Sequence, residues 1–350
     1  MSAAPRRRIA LTIGDPNGIG PEIAVKAAAL AARRPDGPVP VLVGDPGPIR
    51  HYAARHAEDL PVRVEPSAWR DEGGLNIAPV RALPDGAFKP GQVTAEAGAA
   101  TVAYVREALA LVDAGEAGAI IGCPHSETAV AAAGIPFSGY PGLIADLTGV
   151  SHDEVFMMLV GGGLRIVHAT LHERLQTALE RVTPELVAAA TRAAHRVLAA
   201  WGIPEPRIGV FGLNPHAGEG GLFGIEDARV TEPAVAALRR EGIRAEGPAG
   251  ADVLLAGRAM DAYVAIYHDQ GHIPIKLLAP RRASALSIGS KVLFSSVGHG
   301  SAFDIAGQGV ADPGAVTATL ALLDGCGQDG TADETVSTQP RRQFGPPDAF

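Results

Sequence analysis

A run of polar, potentially reactive side chains spans Tyr267–Lys276, directly after the apolar segment Tyr263–Ile266. It groups imidazole, carboxylate, amide and ammonium groups, including those of His268, Asp269 and Lys276, around one glycine. A buried strand that ends in polar side chains is where α/β proteins place binding and catalytic groups. The run alone is equally compatible with a polar surface loop whose histidine is hydrogen-bonded, so other residues must decide between the two interpretations.

Two more histidines share this context. His172 lies just beyond the predicted strand Leu164–Val167, and His216 lies in the polar loop after the strand Arg207–Leu213. Strands that finish at one edge of a sheet bring distant positions together, so these two histidines and His268 can form a three-imidazole metal site with one open position. Alternatively, His168 and His172, four residues apart, could share one face of a helix. The strand pattern that precedes them makes this less attractive.

An open position on such a metal suits a substrate whose oxygen becomes an alkoxide or an enolate. Zinc performs no redox chemistry, so an oxidation would need a separate hydride acceptor. The small residues of His299–Gly309 would let a cofactor approach the backbone closely, and Asp304 could bind a pair of ribose hydroxyls. This segment is not a Gly-x-Gly-x-x-Gly that opens a helix after a strand, so a simple glycine-rich turn is the alternative.

The bulk composition limits the class of protein. The chain has 350 residues, 47% hydrophobic and 19% charged, with a net charge of -8, which argues against a nucleic-acid or membrane partner. The basic start leads only to a short apolar run, so no signal peptide or transmembrane span is expected. Cys123 and Cys326 are too few and too far apart for a disulfide framework. A reduced, cytoplasmic setting is the expectation.

The elements that must position these side chains alternate between strands and helices. Arg8–Ile13 and Val39–Val43 read as strands, Glu154–Val160 and Leu164–Val167 as a hairpin, and Thr183 as the N-cap of a long helix. This pattern predicts an α/β fold with a mostly parallel sheet and one antiparallel insertion.

Three segments together resemble the 4-hydroxythreonine-4-phosphate dehydrogenase family: Gly14–Glu22, Gly212–Gly220 and Tyr267–Gly271. The resemblance runs from about Ile9 to Leu323. It implies the isocitrate/isopropylmalate dehydrogenase-like fold, with two α/β domains and a cleft between them. His299–Gly309 is similar to the stretch that lines the NAD site in that superfamily.

The resemblance also implies a division of the chain. Residues 1–130 with 275–327 would form a large domain carrying the NAD segment, and residues 131–274 a second domain carrying the metal ligands and the dimer interface. Residues 328–350 have almost no apolar side chains and are expected to be a disordered tail.

The implied active site lies at a homodimer interface, where His172, His216 and His268 hold one divalent metal. Zinc is the expected ion, with iron, magnesium, manganese and cobalt as alternatives. The catalytic residues implied are Asp252, Lys276 and Asp269, with the two acids positioning either a metal-bound oxygen or a ligand imidazole. The implied substrate contacts are His125, Tyr140, Lys276 and Ser287, and the implied NAD contacts are His299, Gly300, Ser301 and Asp304.

Departures from the phosphate-using branch of that family concern the substrate. That branch has His-Thr where this chain has Tyr140-Pro141, an Arg where it has Phe294, an Asn where it has Ala285, and His-Lys where it has Ser126-Glu127. Burying an unpaired phosphate dianion costs several kcal/mol, so the loss of these donors argues against a phosphorylated substrate. A drier, aromatic pocket suits a ring-bearing substrate.

A second branch, the terephthalate dihydrodiol dehydrogenases, resembles this chain at those positions. The segments that carry the resemblance are Cys123–His125, Phe137–Pro141, Leu164–His168, His272–Pro280, Ala283–Gly289 and Ser295–Gly300. That resemblance implies NAD-linked oxidation of the dicarboxylate 1,2-dihydroxycyclohexa-3,5-diene-1,4-dicarboxylate to a β-keto acid, which loses CO2 to give protocatechuate. The competing interpretations are a phosphate-using dehydrogenase of pyridoxal phosphate synthesis or a related phospho-sugar-acid enzyme, and a non-redox metal-binding protein or lyase.

Overall fold

One mixed β-sheet with helices packed around it forms the frame of the protein. The computed structural model describes residues 8–34, 36–64, 66–137, 139–280, 283–297 and 300–324. Within these residues the strands are β1 Arg8–Thr12, β2 Val39–Gly44, β3 Val62–Arg63, β4 Leu75–Pro79, β5 Ala119–Gly122, β6 Phe156–Gly161, β7 Leu164–His168, β8 Ile208–Phe211, β9 Ala245–Ala249, β10 Ala262–Ala265, β11 Ser284–Ile288 and β12 Phe294–Val297.

The helices follow the strands in the alternating order that the sequence predicts. They are α1 Gly20–Ala32, α2 Pro46–His56, α3 Ala95–Asp113, α4 Glu127–Ala132, α5 Tyr140–Thr148, α6 Leu175–Arg181, α7 Pro184–Ala200, α8 Glu226–Arg229, α9 Thr231–Arg240, α10 Ala251–Gly257, α11 His268–Leu278 and α12 Gly314–Asp324. Thr183 caps α7 by accepting a hydrogen bond from the Leu186 N–H at 3.2 Å, as predicted. No helix in the described part of the chain is long and apolar enough to cross a membrane.

The strand order is β3-β4-β2-β1-β5-β12-β11-β6-β7-β10-β8-β9. The predicted α/β class is confirmed, as is the antiparallel hairpin of β6 with β7. A second antiparallel hairpin, β11 with β12, pairs with β6 on one side and with β5 on the other. It joins β1–β5 to β6–β10 in one continuous sheet. The division into two domains with a cleft stays a prediction, and the predicted tail lies outside the described residues.

The polar run at residues 267–276 is a helix, which corrects the expectation of a loop. It forms most of α11, which begins directly after β10 and includes Gly271 and Pro274. Those two residues are weak helix formers and disguised the helical spacing of the polar side chains. Gln270 ties the first turn of α11 to the sheet: its Oε1 accepts from the Ile266 N–H and its Nε2 donates to the Gly212 carbonyl, both at 2.8 Å.

Candidate active site

One face of α11 carries the reactive groups. His268, His272 and Lys276 follow one another at four-residue intervals, so their side chains line one side of the helix. Because Gln270 fixes the first turn to the ends of two strands, His268 is held at the edge of the sheet. Burial lowers the pKa of the Lys276 ammonium, which places this charge in a partly desolvated position.

Three imidazoles converge beside this helix. His172, His268 and His272 each offer a nitrogen, and these atoms all lie within 4.8 Å of one another. The ring centroids of His172 and His268 are 5.3 Å apart, and those of His268 and His272 are 3.6 Å apart. The structure thus brings together two of the three predicted ligands, His172 after β7 and His268 after β10.

The third predicted ligand, His216, is not in this group within a single chain. It lies in the helical turn Pro215–Gly221 after β8, is exposed, and has a left-handed backbone with φ 52°. Its ring lies 6.1 Å from the ring of Phe223. Within one chain, His272 and not His216 lies beside His172 and His268. The role of His216 as a ligand stays a prediction.

The electrostatics of the cluster favour neutral imidazoles. Burial, followed by the neighbouring histidines and Lys276, lowers the pKa of His272 to about 4, and burial followed by His268 lowers the pKa of His172. The Asp269 carboxylate accepts a hydrogen bond from Nδ1 of His268 at 2.8 Å, which leaves the other ring nitrogen of a neutral His268 as the lone-pair donor. Neutral imidazoles backed by a carboxylate are the donor set that divalent transition metals prefer, so these residues fit such an ion.

A cavity of about 200 Å³ adjoins the cluster. Its lining includes His172 and His168, together with Pro141 and Gly142 at the start of α5. Arg181 also lines the cavity and pairs with Glu173 at 3.0 Å. The open space therefore lies next to the imidazoles and beside the segment in which the sequence differs from phosphate-using relatives.

The aromatic residues singled out by the sequence pack against one another beneath that segment. The ring of His125 lies 4.4 Å from Tyr140 and 4.7 Å from Phe137, and burial lowers the pKa of His125 to about 4. Tyr140 is 3% exposed and donates its hydroxyl to the Cys123 carbonyl at 2.8 Å, and Phe294 lies 4.8 Å from it. Tyr140 therefore supports the ring of His125, and contact of either residue with substrate stays a prediction.

The other predicted substrate and catalytic residues have differing positions. Ser287 is buried in β11, where it pairs with Met157 and Phe294. Asp252 is exposed in the first turn of α10 and is not part of the imidazole cluster. Asp269 is exposed but in contact with the cluster through His268. Of the two acids, Asp269 is the one in position to orient a ligand ring.

The predicted cofactor segment meets the loop after β1. The Ile19 N–H donates to the Ser301 carbonyl at 2.9 Å, and the Oγ of buried Ser301 has no hydrogen-bond partner. Buried Asp15 and Asn17 in the same loop also each leave one side-chain polar atom unpaired. Buried polar groups require partners, so this region fits a polar ligand such as a dinucleotide. Gly300 and Asp304 are exposed nearby in the chain, and His299 lies outside the described residues.

A buried ion pair that the sequence reasoning missed holds the end of this segment. Glu22, in the first turn of α1, accepts from the Lys26 ammonium at 2.7 Å and from the N–H groups of Ala311 and Gly309 at 2.9 and 3.3 Å. Lys26 donates to the carbonyls of the same two residues at 2.8 and 2.9 Å. The signal in the sequence was an acid and a lysine four residues apart in an otherwise apolar helix.

Known proteins resemble this chain over most of its length. The chain is 50% identical over 317 residues to the 1,2-dihydroxy-3,5-cyclohexadiene-1,4-dicarboxylate dehydrogenase of Comamonas sp, covering 91% of this chain and 97% of that one. A solved terephthalate 1,2-cis-dihydrodiol dehydrogenase from Burkholderia xenovorans LB400 is 51% identical, with a TM-score of 0.71 over 91% of this chain and 98% of that one.

A solved 4-hydroxythreonine-4-phosphate dehydrogenase from Klebsiella pneumoniae is 34% identical, with a TM-score of 0.84 over 94% of this chain and 100% of that one. A family profile described as pyridoxal phosphate biosynthetic protein PdxA matches residues 37–323. Relatives with dehydrogenase names thus cover nearly the full length of the chain, including the helix that carries the imidazoles. The chain therefore belongs to the PdxA family of dehydrogenases.

Proposed function

We propose that this protein is a metal-dependent, NAD-linked dehydrogenase that converts 1,2-dihydroxycyclohexa-3,5-diene-1,4-dicarboxylate to protocatechuate with loss of CO2. The observation that carries the proposal is 50% identity, over 91% of the chain, to a relative named for this dicarboxylate. The family match over residues 37–323 includes the histidine cluster, the aromatic group around His125 and the segment after residue 300.

The packing around Tyr140 supports a substrate without a phosphate. A phosphate dianion in a dry site requires several donors and a fixed positive charge. Here the position of an arginine in the phosphate-using branch is Phe294, which is fully buried, and its ring meets that of Tyr140. The Tyr140 hydroxyl is already committed to a backbone carbonyl. Neither side chain can serve a phosphate.

When bound, the cation supplies Lewis-acid polarisation of a substrate oxygen and NAD accepts the hydride. His172 and His268 would hold the cation, with His216 as the third predicted ligand. Asp269 would hold the proton of neutral His268 on Nδ1, so that Nε2 is the nitrogen left to bind the cation. Lys276, partly desolvated on the same helix face, would hold a substrate carboxylate as a point charge.

Exposed apolar side chains support a homodimer in which two chains complete the metal site. On the segment that carries His216, Leu222 and Phe223 are 73% and 47% exposed. On the helix that carries the cluster, Ile273 and Leu277 are 53% and 78% exposed. Large exposed apolar groups indicate interaction surfaces. Pairing of the two surfaces would bring His216 of one chain to the cluster of another.

The test is an NADH-formation assay on the purified, zinc-loaded protein. The dihydrodiol dicarboxylate is offered beside 4-phosphohydroxy-L-threonine, with protocatechuate and CO2 measured as products. We expect turnover of the dicarboxylate alone. Turnover of only the phosphorylated substrate would assign the chain to the 4-hydroxythreonine-4-phosphate dehydrogenase activity. Metal binding without NAD binding, measured by NAD titration, would favour the non-redox alternative.

A further inference from the structure

Two hydrogen-bonded imidazoles, His168 and His272, link the imidazole cluster to strand β6. The Nδ1 of His168 lies 3.3 Å from the Met157 carbonyl, and its Nε2 lies 3.0 Å from the Nδ1 of His272. A carbonyl can only accept, so Nδ1 of neutral His168 carries the proton and Nε2 is an acceptor. His272 must then donate from its own Nδ1. Its Nε2 is left as a lone pair rather than an N–H.

The fold makes room for this contact at one glycine. His168 is 1% exposed at the end of β7, and Gly271 lies against it in α11. A Cβ at residue 271 would overlap the Nε2 of His168, the atom that accepts from His272. Glycine in a helix interior is destabilising relative to alanine. Its presence here is explained by the close approach of the helix to the His168 ring.

His272 in turn contacts the predicted metal ligand His268. His272 stacks on His268 with centroids 3.6 Å apart and planes 14° from parallel. The lone pair of an imidazole nitrogen lies in the plane of the ring. Two stacked, near-parallel rings therefore point their lone pairs side by side, and a single ion cannot lie at about 2.1 Å along both. Only one of the two rings can ligate well. His268, which has the carboxylate partner Asp269, is that ring.

We propose that His168 and His272 are positioning residues that hold the plane of His268 at the metal site. The proposal rests on the metal dependence proposed above. His168 fixes the orientation and tautomer of His272, and His272 supports the ring of His268 while presenting no N–H dipole to the cation. Neither residue needs to touch the ion or the substrate for this role.

The test compares His168→Leu with His168→Gln in cobalt-substituted protein. The glutamine carbonyl can still accept from His272, whereas leucine cannot. We expect His168→Leu to weaken cobalt binding about tenfold, measured by chelator competition, and to change the visible absorption spectrum of the bound ion. His168→Gln should restore most of the affinity and the wild-type spectrum. Unchanged affinity and spectrum in His168→Leu would overturn the proposal.

Two controls separate this role from general loss of stability. Ile166→Ala opens a cavity on the same strand and face without touching the histidines, so it should lower the melting temperature and leave the cobalt spectrum unchanged. Gly271→Ala should disturb the spectrum by pushing His168 from His272, even though alanine favours the helix. If His168→Leu does not fold, the cobalt spectra of His168→Gln and Gly271→Ala still test the proposal. Indistinguishable spectra in Gly271→Ala and wild type would contradict it. Failure of the wild-type protein to bind cobalt would instead remove the proposed metal dependence.

Discussion

Glu22 and Lys26 form an ion pair, 2.7 Å between Oε1 and Nζ, that is buried between α1 and the backbone of residues 309–311. The Glu22 carboxylate is fully buried and the Lys26 side chain is 18% exposed. Four backbone hydrogen bonds join the pair to a segment that follows the predicted cofactor contacts. The pair therefore connects the stability of the first helix to the placement of the region around Ser301.

Replacing Lys26 with Met tests that connection. The variant leaves a buried carboxylate without its cation, and breaking a buried pair from one side costs about 3 kcal/mol of unfolding free energy. We expect this loss in urea unfolding, together with a higher KM for NAD at the proposed site. Arg33→Met is the matched control, because Arg33 pairs with Asp59 at 2.6 Å on the surface and such pairs contribute under about 1 kcal/mol. Equal losses in the two variants would contradict the structural argument.

His216→Ala tests the third predicted ligand. If His216 of one chain completes the cluster of another, the variant loses metal and turnover together, while the secondary structure is unchanged because the side chain is exposed. Metal content per chain and NADH formation are measured on the same preparation. His152→Ala, which removes another exposed histidine that lines the cavity but lies outside the imidazole cluster, should retain the metal. Full activity in a metal-free His216→Ala protein would contradict the proposed site.

The sequence was sufficient to identify the segments that carry reactive side chains, but not the arrangement of those side chains in space. His172 and His268 could be placed together because each follows a strand of one α/β sheet, and those strands, β7 and β10, are neighbours. His272 could not be assigned, because Gly271 and Pro274 suggested a loop and a loop has no four-residue face. The stacking of His272 on His268 depends on the helix.

The burial of Tyr140 was also beyond the sequence. Its difference from the phosphate-using branch suggested a pocket residue, but whether an aromatic side chain lines a cavity or packs below it depends on tertiary contacts. In the structure its hydroxyl reaches the Cys123 carbonyl, and its ring lies between His125 and Phe294. Such contacts come from segments far apart in the chain, which local patterns do not encode.

Tyr140→Phe separates the hydroxyl from the ring. The variant leaves the buried Cys123 carbonyl without this donor, so we expect a loss of about 1 kcal/mol in the free energy of unfolding. The ring contact with His125 is retained, so KM for the dicarboxylate should change less than threefold. Tyr140→Ala removes the support of His125 as well and should raise KM strongly. A large KM increase in Tyr140→Phe would show instead that the hydroxyl contacts the substrate.

Asp15→Asn should change how stability depends on pH. Burial raises the pKa of Asp15 from 3.8 to about 6 in the folded protein, against the opposing effect of backbone hydrogen bonds from Asn17 and Gly18. Between these two values the folded state holds a proton that the unfolded state has lost. The stability contributed by the neutral carboxyl is therefore fully present below pH 4 and is lost as pH rises through about 6.

The asparagine variant carries no such ionisation and still accepts from the Asn17 N–H at the Oδ1 position. We expect it to be more stable than wild type by up to about 3 kcal/mol at pH 7.5, with a difference that shrinks toward pH 4. Urea unfolding at pH 4, 5, 6 and 7.5 measures this, and Asp85→Asn, which replaces an exposed acid, is the control. If NAD occupies the region around Ser301, the gain in stability should be accompanied by weaker NAD binding. The reason is that the amide N–H2 of asparagine, a donor, replaces the unpaired buried Oδ2 of Asp15, an acceptor. A stability difference between the variant and wild type that grows toward low pH would contradict the assignment of Asp15 as a buried carboxyl with a raised pKa.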